Sequence, residues 1–202
     1  MPDKANMYVE LFYDHYKDTF EQIKGYIKLR NTCTIIILCL VIFLSFQATN
    51  IELASSISTE VISKNIGNIQ IDFAYIKTIL YIALLWVLTT YYRTTLTIEK
   101  HYRYIHEIEE QLTNVMKPLR IEREGKNYLN NYPFLLNLID KLYTITLPIS
   151  IIFFAIFGWI YEKNNMDNHT LHFWINTFIM LCITIVPLLY LSHIHFNDFK
   201  KK

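Results

Sequence analysis

The sequence predicts an all-α integral membrane protein with four transmembrane helices and amphipathic cytoplasmic helices. Three observations predict it: 52% of the 202 residues are hydrophobic and only 18% charged, four apolar runs reach bilayer-spanning length, and Lys and Arg gather on one side of those runs.

The first element is a segment over residues 1–31. Tyr8, Phe12, Tyr16, Phe20, Ile23 and Ile27 recur every three or four residues, with Asp14, Lys17, Asp18 and Glu21 between them. That spacing is an amphipathic helix whose aromatic face packs on another helix or lies among lipid headgroups. The spans follow at Thr32 to Thr49, Phe73 to Tyr92, Leu142 to Tyr161 and Leu171 to Ser192. The first begins only after the amphipathic segment and has no small-residue cleavage site behind it, so it reads as a retained helix and not a signal peptide. Residues 50–72 and 162–170 are expected as outer loops, 93–141 as a cytoplasmic helix and elbow, and 193–202 as a tail.

None of the four spans so bounded holds an Asp or Glu. Lys77 is the one permanent charge inside them, about a turn from an end, and is expected to snorkel to the interface. Sixteen Lys and Arg residues fall on the side of the two termini and the central loop, against two, Lys64 and Lys163, on the other. The positive-inside rule makes the rich side cytoplasmic, with both termini there. Trp159 and Trp174 then mark the outer interface, and Tyr91, Tyr92, Tyr143 and Tyr190 the inner one. A composition rich in Ile, Asn, Tyr and Lys suggests an AT-rich bacterial genome, hence the plasma membrane.

No Gly or Pro occurs between Gly67 and Pro118, so span two can run on past the bilayer as one helix. There Ile98, Ile105 and Leu112 recur every seven residues and Tyr102, Ile108 and Val115 fill the intervening positions, a short seam of coiled-coil type. It suits packing on the chain's own N-terminal helix or self-association. After Pro118 the stretch Arg120 to Pro133 reads as an ordered elbow with turns at Gly125 and at Asn130 to Pro133. Arg123, Lys126, Tyr128 and Tyr132 in it combine cation and aromatic, which suits a protein surface or an anionic headgroup; the plainer reading is topology-setting charge beside interfacial tyrosine.

Searches for chemistry end in exclusions. Cys33, Cys39 and Cys182 sit inside apolar runs and read as small hydrophobes. His101 and His106 are five apart and diverge on a helix, so neither they nor the alternating His193 and His195 form a metal pair. No P-loop, HExxH, GxSxG or CxxC occurs, and the Glu109-Glu110 pair lacks the following Arg of membrane proteases of the CAAX type. The expectation is a non-enzyme with no cofactor, no metal and no nucleic-acid partner. Carriers coupled to protons place carboxylates inside the membrane, and the predicted spans contain none. His172, Asn176 and Thr184 share one face of span four; such a stripe either hydrogen-bonds a neighbouring helix or, in an oligomer, lines a pore.

Tyr102, Tyr104, Ile105, His106 and Glu109, followed by Arg123 to Lys126, Tyr128, Leu129, Tyr132 and Pro133, resemble uncharacterised small bacterial membrane proteins with a YxYIHxxE helix and a REGKxYLxxYP segment. The resemblance covers about a sixth of the chain and implies no activity. The four-pass plan is also similar in architecture to the membrane subunit of the Kiwa antiphage system, which implies a role in bacterial defence without assigning residues. The functional expectation is a membrane component that senses or signals to a cytoplasmic protein partner, with an oligomeric pore that depolarises the membrane as the alternative and a membrane-surface enzyme third.

Overall fold

The protein, seen in a computed structural model that describes residues 4–66, 73–115, 134–165 and 170–200, is helical at all the described residues except Asn50 and Thr170 and contains no strand among them. The elements are α1 (Lys4–Thr49), α2 (Ile51–Ile66), α3 (Phe73–Val115), α4 (Phe134–Lys141), a π-helical turn (Leu142–Thr146), α5 (Leu147–Asn165) and α6 (Leu171–Lys200). Four of the helices contain segments long and apolar enough to cross a membrane: Val9–Thr49, Ala74–Asn114, Leu142–Asn165 and Leu171–Ile194. Trp86, Phe157, Phe178 and Leu189, all well inside these segments, point outward at 65–72% exposure. An apolar surface of that kind is stable only against lipid, so the chain is a multi-pass membrane protein.

Two compact units divide the chain. One comprises residues 1–32 and 93–140, the other 33–92 and 141–202. In the first, Tyr16 and Ile23 of α1 and Ile105, Ile108 and Leu112 of α3 form one buried cluster, flanked by Val9, Phe12, Phe20, Ile27 and Tyr102. The three- and four-residue spacing on both helices puts these side chains on facing stripes, and Asp14, Lys17, Asp18 and Glu21 stay exposed on the far face of α1. The seam on α3 therefore has its partner within the same chain. Ile98 is also buried, outside that cluster; Val115 ends α3, and its side chain is not among those described.

In the second unit α5 packs along α6. Gly158 allows this approach, since a Cβ there would stand 3.1 Å from Met180 Cε of α6. The π turn ahead of α5 stands next to a proline. Leu147 N–H bonds to the carbonyl of Leu142, five residues back, and the next residue, Pro148, has no N–H to offer. The Tyr143 carbonyl thereby loses the donor that position 148 would otherwise supply, and the Tyr91 hydroxyl of α3 donates to it at 3.3 Å.

Several boundaries differ from the sequence reading. The amphipathic segment and span one form the single helix α1. The stretch expected as an outer loop, 50–72, contains the helix α2, separated from α1 by the single non-helical residue Asn50, which bonds to Phe46 through its N–H and to Ala54 through its carbonyl. The third span continues past Tyr161 to Asn165, and α6 continues through the expected tail to Lys200. Tyr91, Tyr92 and Tyr190 do not form an interfacial belt. They are 1–4% exposed and pack on one another, Tyr91 edge-on to Tyr92 with ring centroids 5.1 Å apart and Tyr92 tilted against Tyr190 at 4.6 Å, because their positions on α3 and α6 face the bundle.

A candidate functional site: a buried polar network across three spans

Lys77 lies in the second turn of α3, the first part of that helix to enter the apolar run. Its side chain does not snorkel. It is 7% exposed, and its Nζ sits 2.9 Å from Oε1 of Glu162, which is 1% exposed. The expectation of an interfacial Lys77 and of spans without carboxylates is corrected by this contact: α5 is a turn longer than the apolar run implies, and the extra turn carries Glu162 into the bundle. A lone ammonium within protein and lipid would cost several kcal/mol, roughly, and a carboxylate in contact offsets much of it.

Oε1 also accepts a hydrogen bond from Asn176 Nδ2 of α6 at 3.2 Å. The Asn176 Oδ1 faces the Thr78 hydroxyl at 2.8 Å, and that hydroxyl is also 3.0 Å from the Ala74 carbonyl, so its one proton is shared between two acceptors. Asn176 itself is fully buried. The chain Thr78–Asn176–Glu162–Lys77 thus ties α3, α5 and α6 together with polar groups, in surroundings where water does not compete for them. Two aromatic rings complete the enclosure of the ammonium: Lys77 Nζ is 5.8 Å from the Tyr81 centroid and 5.6 Å from that of Tyr161. Glu162 Oε2 has no hydrogen-bond donor among the described residues, while the Tyr81 hydroxyl is near enough to couple with the carboxylate electrostatically.

Other polar side chains cluster by position at the same end of the spans. Gln47, 1% exposed in the last turn of α1, has no hydrogen-bond partner for either amide atom among the described residues, and His172 Nδ1 and the Thr177 hydroxyl on α6 have none either. His172 packs edge-on against Tyr75, with centroids 4.3 Å apart.

No protein-family model, curated protein or solved structure matches the chain. Its chemistry is therefore read from these contacts alone.

The predicted stripe on span four is partly absorbed by the network. Asn176 commits both amide groups to Thr78 and Glu162, and Thr184 donates to the Met180 carbonyl of its own helix at 2.9 Å. The candidate elbow contacts Arg123, Lys126, Tyr128 and Tyr132 lie outside the described residues. His101 is held by the Thr97 carbonyl at 2.8 Å and by the Tyr26 ring, 5.4 Å between centroids. Among the described residues no three His, Cys, Asp or Glu side chains are arranged to hold a metal.

Glu162 is the residue that sequence reasoning missed. The signal for it was Lys77: an ammonium inside a span calls for a counter-charge, and Glu162 is, with Asp72, one of two carboxylates directly next to a predicted span end on the same, poorly charged side.

Proposed function

We propose that this chain is a non-enzymatic signal transmitter of the plasma membrane, with its basic end in the cytoplasm and a protein partner there. One observation carries the reading. The unbroken helix α3 holds Lys77 and Thr78 of the buried polar network near its start and the packed seam Ile105, Ile108 and Leu112 near its end. A polar network whose stability depends on its full set of partners is a two-state element, and a continuous helix is a mechanical route out of it. Bacterial antiphage defence is the setting this reading adopts, from the architectural resemblance of the four-pass plan to the Kiwa membrane subunit. The pore alternative draws less support, because the central residue of its stripe, Asn176, is occupied inside the protomer.

The test is amide hydrogen exchange on the purified protein in lipid nanodiscs, comparing the native chain with the double variant Lys77→Met with Glu162→Leu. That pair of changes removes the network without stranding a charge. A transmitter shows altered protection over residues 98–112 and 16–27, by about tenfold or more in exchange rate, which corresponds to roughly 1.4 kcal/mol. Unchanged protection there, with the variant folded and inserted, overturns the reading.

A further inference from the structure

Helix α2 leaves an apolar stripe uncovered. Leu53, Ile57 and Val61 are 53%, 43% and 55% exposed and stand four residues apart, so each is displaced by about 40° from the last on one side of the helix. On one flank of the stripe lies Ala54, which is 2% exposed. On the other lie Glu52, Ser56 and Glu60, all exposed. Lys64 falls in line with the stripe and turns its head back to Glu60, at 2.7 Å, which leaves its methylene stem along the apolar side. Around the helix the order is therefore protein-covered, apolar and open, then charged. That order belongs to a helix lying in a plane between oil and water.

The occupant of the open arc follows from what precedes it. On α1 the outward residues Ile35, Leu38 and Ile42 form the lipid-facing stripe of the first span. Asn50 itself is not helical, but its N–H still reaches the Phe46 carbonyl and Ala54 N–H the Asn50 carbonyl, so the chain passes directly from the lipid-facing first span into the segment that bears Leu53, Ile57 and Val61. Residues 32–49 already cover about 27 Å at 1.5 Å per residue, close to the thickness of the hydrocarbon core. The first span thus reaches the edge of the bilayer at Asn50, and exposed apolar residues continue beyond it. At that point the Thr49 hydroxyl lies 3.2 Å from both the Ser45 and Phe46 carbonyls, and the Asn50 amide donates to the same hydroxyl at 3.0 Å. Back-bonding of this kind bends helices.

We propose that α2 is an interfacial helix, with Leu53, Ile57 and Val61 seated in the boundary between headgroups and acyl chains of the leaflet where the first span ends. Glu52, Ser56 and Glu60 face water.

The test replaces the three native cysteines by alanine and places single cysteines at Ile57 or Glu60, both exposed, so that neither change removes a packed side chain. Each is labelled with an environment-sensitive NBD fluorophore, and the protein is reconstituted in phosphatidylcholine vesicles with and without acyl chains brominated near the headgroup. The expected result is blue-shifted emission and bromine quenching at position 57, about twofold or more above that at position 60. Equal, weak quenching at both positions means that the stripe faces water and overturns the proposal. Absence of quenching at 57 together with efficient disulfide formation between copies through Ile57→Cys assigns the stripe to a second copy of the chain and overturns it equally.

Discussion

The Lys77 ammonium and the Glu162 carboxylate meet at 2.9 Å with both side chains almost fully enclosed. The pair joins the start of α3 to the end of α5, and its partners are so placed that neither charge reaches solvent. Single substitutions should therefore be far worse than paired ones. Lys77→Met alone strands Glu162, and Glu162→Leu alone strands Lys77; each should cost about 3–5 kcal/mol, measured as unfolding in mild detergent, whereas the double variant should recover most of the loss. Additive losses in the double variant would show that the two charges are not coupled.

Tyr91→Phe should destabilise the protein by roughly 1–3 kcal/mol, because the Tyr143 carbonyl then loses its donor from α3 and Pro148 offers none in its place. Thermal unfolding followed by circular dichroism reads this directly, and an unchanged midpoint would mean that another group satisfies the carbonyl.

Gly158→Ala should be nearly neutral, within about 1 kcal/mol, since the atom it meets is the mobile end of Met180. Gly158→Leu, by contrast, should force α5 from α6. Cross-linking yield between cysteines on these two helices distinguishes the outcomes, with loss expected only for leucine.

Ile105→Asp with Leu112→Asp should open the pairing of α1 with α3 in the first unit, because each places a carboxylate among apolar side chains, a loss of about 3 kcal/mol or more. Faster limited proteolysis of residues 1–32, with unchanged membrane insertion, is the expected result. Unaltered protease resistance would show that the cluster does not hold the helices together.

Impermeant maleimide applied from outside intact cells should label cysteines at Glu60 and Asn165 and leave those at Glu21 and Glu107 unlabelled, given the native cysteines changed to alanine. The reverse pattern inverts the topology and with it the cytoplasmic partner.

The spans were legible because their signal is additive: some twenty apolar residues in a row suit little except a bilayer. The seam was legible because Ile105 and Leu112 recur at a fixed period, and the structure supplies Tyr16 and Ile23 as what they face. The ion pair was not, since apolarity ends at Tyr161 whereas the helix does not. Hydropathy marks where a helix stops being oily, and the backbone hydrogen bonds that carry Glu162 inward leave no trace in it. Helix α2 was hidden for a different reason. Its Ser55, Ser56, Ser58 and Thr59 are weak helix formers by composition, yet a separate helix resumes at Ile51, directly after Asn50.

The π turn before α5 acts as a phase setting for everything after it. One extra residue in that turn rotates the helix that follows by about 100° relative to an uninterrupted α-helix. In that phase Phe153 and Phe157 look outward and Ala155 and Glu162 inward. Deleting one residue from 142–146 would remove that extra residue, convert the π turn to an α turn and leave the side chains of α5 in their present phase, whereas the same deletion between Ala155 and Glu162 would turn the carboxylate out of register with Lys77. The chain should thus tolerate a one-residue deletion in the π turn far better than one within α5.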